Sequence, residues 1–175
     1  MYSNTDFRAF YRRVYGIIDG LTPVPGDCGR LCDKACCKGP DSKGMLLFPN
    51  EESALDISQF NIIKSPKGLV AVCNGTCERH NRPLACRMFP FFPRLFDDGK
   101  IRVVYDMRAM SICPIVAYPE TIKPDRRFLR AVRHAGRVLV SLPDCRKFIK
   151  AVSDELVLLN KFEPMKFEGI AARFR

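Results

Sequence analysis

The segment Cys28-Gly-Arg-Leu-Cys32-Asp-Lys-Ala-Cys36-Cys37 places four cysteines within ten residues, and two of them are adjacent. It continues to Lys43 as a loop rich in Gly, Asp and Lys, with too few apolar residues to form a core element. Short intervals between cysteines let one loop present several sulfurs to a single centre. The segment therefore predicts a loop whose backbone is organised by a bound metal.

The whole chain has nine cysteines, an odd number that disulfide pairing cannot use up. The N-terminal stretch MYSNTDFRAFYRRVYG is polar and carries arginines, unlike a signal peptide, and no later stretch is long enough to span a bilayer. These features predict a soluble, cytoplasmic protein, and structural disulfides are disfavoured in that compartment. Metal binding is the leading interpretation of the cysteines.

Length and composition predict one globular domain over residues 1–175. The chain is long enough to bury a core without disulfide staples, and 47% of its residues are hydrophobic. Its formal net charge of +10 favours acidic partners such as nucleic acid or phosphates. The same excess of positive charge would also offset the negative charge of metal-bound thiolates.

Apolar periodicity predicts an N-terminal amphipathic helix at about 5–20, capped by Asn4 or Thr5. The cysteine-rich core, at about 26–115, is expected to consist of loops and short elements. These elements are a strand at 44–49, a short helix at 50–60 capped by Asn50, a strand at 68–73, and a hairpin at 94–106 that turns at Asp98-Gly99.

Two further helices are predicted at about 124–160. The first has an apolar stripe of Phe128, Val132, Ala135 and Leu139 and an opposite basic face of Arg126, Arg130, Arg133 and Arg137. Such a face is usually solvated, and contact with nucleic acid is the less favoured alternative. The second buries Phe148, Ile149, Val152, Leu156 and Leu159, and Cys145 lies on the same stripe, which indicates a core thiol.

The predicted fold class is α+β. A small cysteine-rich metal-binding domain of loops and short strands is expected to pack with the N-terminal helix and the C-terminal helical pair. With Cys145 assigned to the core, eight candidate metal ligands remain: Cys28, Cys32, Cys36, Cys37, Cys73, Cys77, Cys86 and Cys113.

The adjacent pair Cys36 and Cys37 is informative because neighbouring side chains diverge. It indicates either two metal centres, or one cluster ligand beside a residue with another role. Zinc and iron–sulfur clusters both accept four thiolates. Cys113-Pro114 and the shell CRMFPFFP (86–93) favour a cluster, of which 4Fe–4S is the first choice, with zinc as the alternative. The phenylalanines of that shell are also consistent with ordinary core residues.

Two arginines near the later cysteines, Arg82 and Arg87, are predicted to support the centre. A guanidinium beside thiolates offsets their charge and can hydrogen-bond sulfur or a backbone carbonyl, and Pro83 fixes the turn before Cys86. Contact with a substrate is the alternative role for both arginines. His80 is the one histidine near the cysteines and is interpreted either as a solvated loop residue or as a further ligand.

The grouped cysteines followed by RPLACRMFPFFP (82–93) resemble the YkgJ-like cysteine-cluster family, named for its CxxCxxCC motif and described as zinc- or iron-chelating. The resemblance covers about 28–114, with Arg-Pro, Cys-Arg and Phe-Pro as its most specific part. The family includes longer flagellin lysine N-methylases, which implies a scaffold able to link an iron–sulfur cluster to methyl transfer. Here the first cysteines are three residues apart rather than two, and no loop typical of S-adenosylmethionine binding is present.

The leading functional hypothesis is therefore a metalloprotein with one or two cysteine-ligated centres and a redox, metal-handling or protein-modification-linked role. Its partners would be the metal or cluster and a protein substrate or partner, with no membrane. The alternative is a non-enzymatic structural zinc module that contacts nucleic acid or a protein through its basic helix. No catalytic arrangement or phosphate-binding loop stands out, so whether the protein is an enzyme is left open.

Overall fold

A computed structural model describes residues 4–38, 44–73, 75 and 77–162. Within these ranges the chain forms five α-helices. The long ones are α1 (Asn4–Ile18), α4 (Arg126–Leu139) and α5 (Pro143–Phe162). Two short ones, α2 (Leu84–Met88) and α3 (Pro114–Ala117), lie between them in sequence. The predicted N-terminal helix and C-terminal helical pair are thus confirmed, together with the α+β class.

The strands form two small antiparallel sheets. One has the order β1-β3-β2, from β1 (Met45–Leu46), β2 (Asn61–Ser65) and β3 (Gly68–Val72). The other is the hairpin of β4 (Phe91–Leu95) and β5 (Ile101–Tyr105), with Phe91 opposite Tyr105. The predicted Asp98-Gly99 turn is confirmed: Gly99 has φ +74°, and the Gly99 N–H donates to the carbonyl of Phe96 at 2.9 Å.

The core lies where α1 and the β4–β5 hairpin pack against α4. The whole predicted apolar stripe of α4 is buried, and Asp125 caps the helix by accepting the backbone N–H of Arg127 at 2.7 Å. Gly136 marks the closest approach of α4 to the hairpin, since an added Cβ would lie 2.4 Å from Pro93 Cβ. This packing fixes which side of α4 faces solvent.

Two predicted details of the middle region are wrong. Residues 50–60 form two 3₁₀ turns, Glu51–Ala54 and Ile57–Gln59, rather than one helix. The helix is interrupted because Leu55 is extended and the Asp56 side chain accepts the Ser58 N–H at 3.1 Å, which starts a new turn. Asn50 adopts a left-handed conformation and makes no side-chain cap.

Smaller differences concern three other elements. The strand predicted at 44–49 is reduced to β1, and β2 was not predicted. On α5, Leu159 is 37% exposed instead of buried, because the helix runs past the end of the core there. None of the helices in the described ranges has the length and apolar character needed to cross a membrane.

We expect Gly136→Ala to lower the free energy of unfolding by about 1–3 kcal/mol, because the new methyl group overpacks the contact with Pro93 and Ile101. Gly16→Ala is the matched control, since Gly16 lies within α1 with nothing near its missing Cβ. That control should stabilise the protein by up to about 1 kcal/mol through helix propensity. Chemical denaturation measures both, and equal effects would contradict the packing argument.

Candidate metal centre

A pocket beside the end of α1 brings five of the eight predicted ligands together. Its cavity of about 70 Å³ has room for several atoms, since one water needs about 10–15 Å³. Apolar groups of Ile18, Phe89 and Ile115 form part of the wall. The cysteines that line it are Cys28, Cys32, Cys36, Cys86 and Cys113. Three separate segments of the chain thus present thiols to one cavity.

Short helical turns position these thiols. Cys28 begins the 3₁₀ turn Cys28–Leu31, where the Asp27 carboxylate accepts the Gly29 N–H at 3.0 Å. Cys113 is the N-cap residue of α3, and Pro114 follows at the first helical position. Proline suits that position because its missing N–H would have no partner within the helix. The cluster motif Cys-Pro noticed in the sequence therefore also has a purely structural role.

The thiols shift one another's pKa values, and we sort the eight into two adjoining sets by which thiols act on which. The first thiol group consists of Cys28, Cys32, Cys36 and Cys113. Burial, then the charge of Asp27, and then the thiols of Cys113 and Cys32 raise the pKa of Cys28. Burial raises the pKa of Cys113, opposed by backbone N–H donors, and the Cys32 thiol adds to the increase. These four thiols therefore share one local environment.

The second thiol group consists of Cys37, Cys73, Cys77 and Cys86. Burial is the largest cause that raises the pKa of Cys86, followed by the charges of Cys77, Cys73 and Cys37. Cys86 also lines the pocket of the first group, so the two groups adjoin. Together they contain every cysteine predicted as a ligand.

The adjacent pair Cys36 and Cys37 joins the two groups. Their thiols share a hydrogen bond, which is the largest cause that lowers the pKa of Cys37 to about 6 and raises that of Cys36. Their other contacts differ, because Cys36 interacts with Cys32 and Cys28, whereas Cys37 interacts with Arg82.

Arg82 lies among the thiols of the second group. Burial alone would lower the pKa of its guanidinium, but a hydrogen bond to Cys77 and the charges of Cys77, Cys37 and Cys86 outweigh burial and raise it. Its Nε is buried and has no hydrogen-bond partner among the described residues. Arg82 thus supplies a positive charge to the thiols, one of the two roles expected from the sequence.

Arg87 takes the other expected role and bonds to the backbone. Its side chain is only 7% exposed and donates to the carbonyls of Arg82 and His80, both at 2.6 Å. Its guanidinium also lies 4.3 Å from the centroid of the Tyr15 ring. Arg87 therefore fixes the segment that carries Arg82 against α1. His80 itself is exposed and lies 3.1 Å from Glu78, so the structure does not bring it to the thiols.

Glu51 is a buried carboxylate that the sequence analysis missed. It is fully buried and accepts hydrogen bonds from Tyr15 Oη at 2.9 Å, the Phe48 N–H at 2.9 Å and the Leu84 N–H at 2.6 Å. It thereby ties α1 to the first residue of α2, the helix that carries Cys86. Its sequence context, NEESALD, is that of an exposed polar segment and gives no signal of burial.

Cys145 lies apart from both thiol groups, as predicted. It is fully buried in the core, and its Sγ lies 3.3 Å from Tyr11 Oη. Burial raises the pKa of the Cys145 thiol to about 11. Its place in the apolar core beside Tyr11, outside the lining of the pocket, is that of a structural thiol.

The donor set fits a thiolate-bound metal in its chemistry, since five thiols and a cationic Arg82 line one pocket. In the described conformation, however, no three His, Cys, Asp or Glu side chains within residues 4–38, 44–73, 75 and 77–162 are close enough to hold a metal ion. Ligation would therefore require the thiols of each group to move closer together.

Comparisons with known proteins give no assignment: no family model, no curated protein and no solved structure matches this chain. The likeness to the YkgJ-like cysteine-cluster family therefore rests on the grouped cysteines and the segment RPLACRMFPFFP (82–93), and stays a prediction. The case for a function rests on the thiols and their surroundings.

Glu51 should make stability depend on pH. Burial, opposed by its three donors and Arg87, raises the pKa of Glu51 from 4.5 to about 7. The folded protein then holds this proton more tightly than the unfolded chain, so the contribution is full below pH 4.5 and is lost as pH rises through 7. We expect the free energy of unfolding to fall by on the order of 3 kcal/mol across this window.

Glu51→Gln is the variant that tests this expectation, because glutamine does not titrate. Urea unfolding at intervals from pH 4.5 to pH 7.5 should show that the variant lacks this part of the wild-type decline. A variant with the same pH slope as the wild type would mean that Glu51 is not the titrating group.

Proposed function

We propose that the protein binds metal through two sets of four cysteine thiolates, one from each thiol group, with a 4Fe–4S cluster favoured over zinc. The observation that carries this proposal is that five of the eight thiols line one pocket, with Arg82 beside Cys37, Cys77 and Cys86. Four thiolates complete the ligand shell of either a tetrahedral zinc ion or a 4Fe–4S cluster. A redox, metal-handling or protein-modification-linked role is consistent with such centres.

The surroundings favour a cluster over a bare ion. A cavity of about 70 Å³ is larger than a single ion needs and has a partly apolar wall. Low polarity around a cluster controls solvent access and reduction potential, and a nearby cation offsets the charge of the thiolates. Arg82 supplies that cation beside Cys77.

The ligand loop is suited to the movement that ligation requires. In the segment from Cys28 to Cys37, Gly29 is the one buried residue, and Asp33 and Lys34 have left-handed φ values of 48° and 56°. Non-glycine residues in this region carry some backbone strain. A loop with little core contact can rearrange at low cost when metal–sulfur bonds form.

The primary test is the composition of protein purified without oxygen. About eight iron and about eight acid-labile sulfide per chain, with a brown visible spectrum, would support two 4Fe–4S clusters. Zinc without sulfide in a colourless protein would instead support the structural zinc alternative. Protein with neither metal, even after reconstitution with iron and sulfide or with zinc, would contradict the proposal.

Serine substitutions should map the two groups separately. We expect Cys36→Ser to lower the metal content of the first centre, together with Cys28→Ser, because their thiols share one neighbourhood. We expect Cys37→Ser to act with Cys77→Ser on the second centre. Each single variant should lose about one centre, and a variant from each group combined should lose both. Metal and sulfide analysis of each purified variant measures the loss.

Cys145→Ala is the matched control for these substitutions. It should retain the full metal content and lose only stability, by on the order of 1 kcal/mol for a small buried side chain. If Cys36→Ser and Cys37→Ser abolish the same single centre, the protein has one centre rather than two. Loss of metal in Cys145→Ala would show that its assignment to the core is incomplete.

A further inference from the structure

Helix α4 exposes a stripe of arginines that the proposed metal site does not use. The helix contains five arginines and no acidic residue. Arg127 pairs with Asp125 at its start. The other four, which we name the arginine stripe, are Arg126, Arg130, Arg133 and Arg137.

The stripe is narrow and straight. With 3.6 residues per turn, its four positions fall within about 60° of arc and span about 16 Å along the axis. They lie opposite the apolar stripe, whose members Phe128 and Ala135 are fully buried. Three of the arginines are exposed and Arg133 is half-buried. The guanidinium groups therefore share one solvent-facing side over three turns.

The stripe makes no salt bridge within the described part of the chain. Among the described residues, none of its four arginines forms an ion pair, whereas other surface cations do, such as Lys67 with Glu155 and Lys150 with Asp154. Like charges four residues apart destabilise a helix slightly. A row of like charges without acidic partners therefore lowers the stability of the helix unless an external anion binds it.

The helix is also held rigidly behind this face. Gly136 lies against Pro93 and Ile101 so closely that a Cβ would not fit, and Phe128 stacks near Phe91 with centroids 6.0 Å apart. A row of charges on a packed helix is preorganised, so little conformational freedom is lost on binding.

We propose that the arginine stripe binds the phosphate backbone of a nucleic acid. Each strand carries one phosphate per 3.4 Å of duplex axis, so a row of charges about 16 Å long is long enough to contact several phosphates. Arginine also matches phosphate geometry with its planar, bidentate donors. The contact is to the backbone and does not read sequence.

Two other anionic partners fit the stripe less well. A helix that lies on a membrane inserts its apolar face, but the apolar face of α4 is buried in the core. A protein interface contains apolar or aromatic anchors at its centre. No large hydrophobic side chain of α4 is exposed, so the stripe offers charge alone.

Fluorescence anisotropy with labelled duplex DNA and single-stranded RNA of random sequence tests the proposal and distinguishes the two sources of phosphate. The test variant replaces Arg126, Arg130, Arg133 and Arg137 with glutamine. We expect its affinity to fall at least tenfold at low salt. The slope of log K against log salt should decrease in magnitude by about 3, because four phosphate contacts are lost.

The matched control removes the same number of charges elsewhere, at Lys64, Lys100, Lys123 and Lys147, all exposed and outside α4. It should keep the wild-type slope. Two double variants, Arg126/Arg130→Gln and Arg133/Arg137→Gln, should each give about half the slope change, which guards against misfolding of the quadruple variant. Metal content should stay unchanged in all of them, since this inference does not depend on the proposed centres.

Three results would overturn the proposal. The first is a wild-type protein that binds neither nucleic acid at low salt. The second is a control variant that loses as much affinity as the stripe variant, which would show that net charge alone is responsible. The third is equal or tighter binding to polyglutamate or to phosphatidylserine vesicles, which would assign the stripe to another class of anion.

Discussion

The buried carboxylate of Glu51 is the contact on which the arrangement of the thiol groups depends. It accepts hydrogen bonds from Tyr15 on α1, from the backbone of Phe48 and from the first N–H of α2. Because a buried carboxylate is costly unless its oxygens are paired, these three donors must stay in place together. That requirement fixes the start of α2 against α1, and with it the position of Cys86. Arg87 reinforces the same junction through the ring of Tyr15 and the carbonyl of Arg82.

This junction has a direct consequence for the electrostatics of the site. Eight thiols near one another would repel as thiolates, so gathering them needs a positive charge of fixed position. Arg82 provides it, and Arg87 holds the backbone from which Arg82 extends. The junction thus positions the backbone around Arg82 and Cys86. The loops themselves contribute little apolar contact, which is why metal–sulfur bonds would have to complete their final geometry.

Helix α4 has an apolar side that packs in the core and an opposite side that carries arginines. Its apolar side closes the core over the β4–β5 hairpin, and Gly136 permits that close contact. Its other side carries four arginines that form no ion pair with the residues that the structure describes. Packing on one side keeps these charges aligned, whereas on a free helix of this length their repulsion would favour fraying. The proposed metal centres and the proposed phosphate contact therefore use different surfaces of one framework.

Local pattern determined much of this protein. Apolar periodicity identified α1, α4 and α5, the Asp98-Gly99 turn identified the hairpin, and the position of Cys145 on an apolar stripe predicted its burial. Those features depend on residues a few positions apart, where the chain's own geometry sets the neighbours. The division of residues 50–60 into two turns, the burial of Glu51 and the meeting of five distant thiols at one pocket were decided only by the tertiary structure. Each depends on contacts between segments distant in sequence, such as Glu51 with Tyr15 and Leu84, and no local spacing specifies which distant group satisfies a buried charge.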